Sequence, residues 1–216
     1  MLARIPDPAA AGVAGYIVDR DEQGFVAIFY GREDGRHVAI YRARIAGRGV
    51  ADPVVFARGR RPALSPMQLR LARAGEAARA GSIESCTRDS PNIAIVPPAG
   101  PEDSVDVYIT APQMRTGLVQ FGGHMRISYD AAGREIARRP FTRTCLEVPA
   151  PPLELRRQGA MLGFNHLLDP RPNEIHVFLA LGAQQTLAIQ TPEPDRLWQV
   201  TGDRIRLLQN GHPPRR

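Results

Sequence analysis

The chain has 216 residues, 43% of them hydrophobic and 23% charged, with a formal net charge of +6. That length can bury a substantial core without staples, and the near-average composition excludes a disordered or fibrous protein. All 28 basic residues are arginine; the lack of lysine points to a codon bias and disfavours a nucleic-acid surface, where lysine would serve as a phosphate point charge.

The N-terminus, Met1 to Pro8, has no apolar run of the kind a secretory signal needs, and no window approaches 18 apolar residues. A cytoplasmic location without membrane attachment is the expectation. The alternative is the periplasm, if a signal peptide has been removed and the two cysteines are joined. The 20 glycines and 20 prolines interrupt the chain often, as suits many short strands joined by turns.

Residues 24–30 and 37–45 read as β-strands around Asp34-Gly35, a hairpin signal because both turn positions tolerate positive φ. Residues 53–57 read as a short third strand. Residues 65–80 form the one convincing helix: Ser65 is the N-cap, Pro66 the first helical residue, and Met67, Leu71, Ala74 and Ala78 a buried stripe. Gly81 is suited to end it in the left-handed region.

Residues 92–96 and 105–110 read as strands flanking a loop at 97–104. Residues 118–129 read as one strand broken by a bulge at Gly122-Gly123, where the glycines also allow close backbone approach. A turn at 130–133 and a partner strand at 134–139 follow. Pro149-Ala150-Pro151-Pro152 reads as a connector. Strands are expected at 162–167, 174–181, 186–190, 197–200 and 204–208, and a disordered tail at 209–216 that includes His212.

Cys86 and Cys145 are too far apart for a CxxC motif. Their polar neighbours allow a disulfide, whereas a chain without a signal sequence slightly favours two unpaired thiols. A Cys145–His124 nucleophile pair is conceivable on neighbouring strands.

The densest cluster of ionisable residues is Asn165-His166-Leu167-Leu168-Asp169-Pro170-Arg171-Pro172-Asn173-Glu174-Ile175-His176. On a strand over 174–181, Glu174 and His176 would share a face. His166 and Asp169, on a proline-stiffened loop, would return close to His176. Three or four such groups suit a divalent metal such as zinc with an open position for water. The spacing matches no metal signature, and capping or cross-strand roles explain the same residues. His124 and Glu174 are candidate ligand-binding residues; His166, Asp169 and His176 are candidate catalytic ones.

There is no P-loop, GxGxxG, GxSxG or CxxC motif. The expected fold is α+β: about ten short strands in predominantly antiparallel sheets with one clear helix packed on them. A single domain spanning 1–216 is expected, with a subdivision near 149–152 as the alternative. The expected function is that of a bacterial-type, non-enzymatic domain binding a small molecule or a protein without a cofactor. The alternative is a hydrolase, metal-assisted or not, using the cluster at 166–176.

Overall fold

A computed structural model describes residues 10–47, 49–83, 86–100, 103–113, 115–192 and 196–209. The expected tail beyond Gln209, with His212, and Pro101 and Glu102 of the expected loop lie outside the described residues. The fold is α+β and predominantly antiparallel β, with fourteen strands and three helices among the described residues. No described helix is long and apolar enough to cross a membrane. The chain forms two compact units: Met1–Ile83 with Ile93–Ile109 and Arg126–Arg139, and Glu84–Asn92 with Thr110–Met125 and Pro140–Arg216.

The first unit begins with an antiparallel sheet in the order β1 (Gly15–Asp21), β2 (Gly24–Glu33), β3 (Arg36–Ala46), β4 (Gly49–Val55). The Asp34-Gly35 turn joins β2 to β3 with φ of 48° and 75°, the two positive values that a tight hairpin requires. Strand β1 was not legible as a strand. Helix α1 (Pro66–Ala80) starts on a capping box in which the Ser65 hydroxyl accepts from Gln68 N and the Gln68 side chain accepts from Ser65 N. Gly81 closes it, but with an extended φ of −74°; the left-handed stop is not used.

The small residues Ala72, Ala74, Gly75 and Ala78 are buried on α1. They let the helix lie close to Tyr30, whose hydroxyl donates to Ala72 O, and to Ile95. Glu76 accepts from Arg32 and meets the His37 ring, at 2.9 and 3.0 Å. Burial pushes this carboxyl up, but His37 and Arg32 outweigh it and hold it below the ordinary range. A second sheet in the order β5 (Asn92–Val96), β6 (Val105–Thr110), β8 (Met125–Tyr129), β9 (Glu135–Pro140) completes this unit.

The expected single strand at 118–129 is instead two. Strand β7 (Leu118–Gln120) pairs with β10 (Glu147–Pro149), whereas β8 joins another sheet. The glycines between them are a close approach, not a bulge. A Cβ on Gly122 would stand 2.7 Å from Cys145 Cα, and one on Gly123 2.6 Å from Cys86 Sγ. Phe121 N and Gly122 N both donate to Leu146 O. Cys86 and Cys145 are joined in a disulfide, so the preference for unpaired thiols is overturned.

The second unit also holds the short α2 (Leu153–Arg157) and a sheet in the order β11 (Leu162–Asn165), β12 (Leu187–Thr191), β13 (Arg196–Thr201), β14 (Arg204–Gln209). Strands β11 and β12 are parallel. Parallel neighbours need a crossover, and α3 (Glu174–Ala183) supplies it. The expected strand at 174–181 is therefore wrong. A short apolar run fits helix and strand alike by periodicity. The deciding signal is Asn173, whose side chain accepts from Ile175 N at the helix start.

The disulfide closes a separation of 59 residues. Replacing both cysteines by alanine should lower the unfolding free energy of the second unit by about 2–4 kcal/mol. Denaturant unfolding of the oxidised parent beside the double variant measures this.

Candidate functional site

Strand β11 delivers His166 to the start of the crossover, where its backbone N–H donates to Gln190 O. Three residues on, Asp169 Oδ2 meets His166 Nε2 at 2.7 Å. The same oxygen accepts from Asn173 Nδ2 at 2.9 Å. His176, at the third position of α3, accepts from Asn173 N through Nδ1 at 3.1 Å. It does the work that glutamate or glutamine does in an ordinary capping box. The His166 and His176 rings meet edge-on, with centroids 4.5 Å apart. Phe164 packs against both, and Phe121 stacks on Phe164 at 4.6 Å.

Three of the candidate residues are thus brought together: His166, Asp169 and His176. Both rings are buried, while Asp169 is a quarter exposed. Glu174 is not on their face. Two residues apart on a helix means roughly 200° of rotation, and Glu174 is exposed in the first turn of α3, where a carboxylate complements the helix dipole.

His124 also stands apart in function. Its Nδ1 accepts from Ala111 N at 3.2 Å, its Nε2–H donates to Gln120 O at 2.7 Å, and its ring lies edge-on to Phe178. An acceptor bond to Nδ1 exists only in the neutral ring. Burial pushes the His124 pKa down, against a smaller upward pull from the Gln120 carbonyl. The Cys145–His124 nucleophile pair fails because Cys145 has no thiol. Among the described residues, no group of three or more His, Cys, Asp or Glu is placed to hold a metal ion.

Beside the histidine pair is an open cleft of about 360 Å³. Phe141, Leu146, Phe164, Leu167 and Leu168 give it apolar walls, and Arg143 and His166 contribute polar groups. Arg143 is exposed and makes no ion pair among the described residues. The wall at 142–146 flanks Cys145, so the disulfide and the glycine approach hold it in place. Sequence marked the glycines as a close approach and Cys145 as a candidate for a disulfide. It did not connect them, because the disulfide that does so is a contact across 59 residues.

Comparison with known proteins finds no matching family model, no similar curated protein and no similar solved structure.

The state of His124 gives a pH dependence. The unfolded ring titrates near the ordinary value of about 6.5, and the folded ring below it. Protons then bind the unfolded chain first, so this contribution to stability is intact above about pH 6.5 and falls on acidification towards the folded pKa. The loss is at most about 1.4 kcal/mol per pH unit for one proton. NMR titration should show the His124 ring changing below pH 6.5, and His124→Gln should remove that part of the pH slope of unfolding.

Proposed function

We propose that the protein is a non-enzymatic binding domain whose cleft beside His166 takes an apolar small molecule bearing one anionic group. The observation that supports this is the pairing of apolar walls with the unpaired Arg143. Apolar walls favour a hydrocarbon or aryl body, and a guanidinium at the rim favours a carboxylate, which it can bind through two N–H groups. No cofactor is needed. The disulfide supports an oxidising compartment such as the periplasm, where such bonds persist.

Octanoate and octylamine have similar bodies and opposite charge. Isothermal titration should find octanoate binding and octylamine binding weakly or not at all. Arg143→Ala should weaken octanoate by about tenfold, the worth of one charge-assisted hydrogen bond. Equal binding of the two probes, or of neither at millimolar concentration, would sink this reading.

A second reading, ester hydrolysis in the same cleft, is favoured by His166, which lines it and pairs with Asp169. Asp169 would hold the ring while the nitrogen it does not bond takes a proton from water. Parent protein should then turn over p-nitrophenyl octanoate, and Asp169→Asn should lose turnover while still binding octanoate. Absence of turnover by the parent retires the hydrolase.

A further inference from the structure

A second cleft, of about 230 Å³, lies in the first unit, on the sheet of β1 to β4. Val26 and Ile28 give it a buried apolar floor, and Phe56 and Pro62 line it from the stretch after β4. Asp19 and Arg42 line it too. We infer a second binding site there, for a small zwitterion with an apolar body: an α-amino acid with an aliphatic side chain.

Two observations carry the inference. The first is a carboxylate that is held in place but not neutralised. Asp19 Oδ2 accepts from Gln68 Nε2 at 3.0 Å, and Oδ1 accepts from Arg20 N at 2.8 Å. Gln68 is itself fixed by the capping box of α1. Both donors are neutral, and Asp19 makes no ion pair among the described residues. Each oxygen keeps a lone pair for a further donor, and the side chain is only partly buried. Asp21 has no such freedom, because Arg44 binds both its oxygens at 2.9 and 3.1 Å and Gln23 N donates to it as well. The second observation is a guanidinium with donors to spare. Among the described residues the Arg42 guanidinium makes one hydrogen bond, to Asp21 Oδ2 at 3.3 Å, and the side chain is half exposed. A guanidinium has five N–H donors, so the others can meet a carboxylate.

Strand register puts both groups on one face. Asp19 stands opposite Val26, and Arg42 opposite Ile28; opposed residues share a face, as do residues two apart on a strand. Arg42 reaches to Asp21, which follows Asp19 by two residues on β1, a separation of about 7 Å. Two charge-assisted hydrogen bonds of about 2.8 Å each, with an ammonium and a carboxylate on one carbon between them, span a similar length. The two charges together select the ligand. A simple amine would gain Asp19 but face Arg42, and a simple acid the reverse; a zwitterion satisfies both. The apolar floor then takes an aliphatic side chain. This site goes beyond the cleft beside His166 and rests on none of its residues.

The test is NMR titration of the full chain, read at the Gln68 side-chain amide that bonds Asp19, so that binding elsewhere does not count. The probes are leucine, 3-methylbutylamine, which lacks its carboxylate, and 4-methylpentanoate, which lacks its ammonium. Leucine should shift the Gln68 amide, and each analogue should bind there at least about tenfold more weakly. Asp19→Asn keeps an oxygen for Gln68 but removes the charge, and should weaken leucine by about tenfold or more. Arg42→Gln should do the same, whereas Arg143→Ala should leave leucine binding unchanged. Either analogue shifting the amide as readily as leucine, affinity unchanged in Asp19→Asn or Arg42→Gln, or no shift at millimolar leucine would overturn the site and leave Asp19 to the helix cap and to water.

Discussion

The Asn173 cap is the interaction on which the second unit turns. Its side chain accepts from Ile175 N, its own N–H is taken by His176, and its amide donates to Asp169. Such a cap is worth about 1 kcal/mol by itself, yet its structural effect is larger than that figure. It commits an apolar run that periodicity leaves ambiguous to a helix. With a helix there, β11 and β12 can lie parallel. The crossover brings His166 to His176 and places Phe178 beside His124. The cleft beside His166 is a consequence of that commitment.

Burial and hydrogen bonding then decide what the ionisable groups can do. His124 is locked neutral, because one nitrogen accepts from an amide and the other donates to a carbonyl. His176 is likewise committed through Nδ1, as an acceptor from the helix cap. Among the described histidines of this unit, His166 lines a cleft and pairs with a carboxylate, that of Asp169. A histidine held as an acceptor for the backbone makes a poor general base, since protonating it breaks a bond that the fold needs. Among the described histidines of this unit, that leaves His166, paired with Asp169, as the candidate for acid–base chemistry.

Local signals made much of the first unit legible. Asp34-Gly35, Ser65-Pro66 and the alternation of 37–45 each name their structure through turn or cap chemistry confined to a few residues. The same logic located the 204–208 strand and the Asp169 loop. It failed at 174–181, where Ile175 and Val177 suggested a strand and the cap lay one residue before the run. It also failed at 118–129, where two glycines mark the end of one sheet and the start of another. That distinction depends on what the glycines approach, and the approached groups, Cys145 and Cys86, lie more than twenty residues away in either direction. The cluster at 166–176 was visible as a cluster, but the roles of its members were set by helix geometry that the strand reading inverted.

The residues most often associated with chemistry have become scaffolding here, and this bears on how the site should be sought. Two of the three described histidines in the second unit support backbone groups, both cysteines are consumed in a cross-link, and Glu174 faces outward in a helix first turn. What faces the cleft beside His166 is mostly apolar or uncharged, with Phe141, Leu146, Phe164 and Leu168 among its walls. Such a surface discriminates by shape and by a single charged group, a cation at the rim. On the proposed reading such a unit holds a molecule without transforming it, because binding energy from apolar contact is gained equally by ground state and transition state.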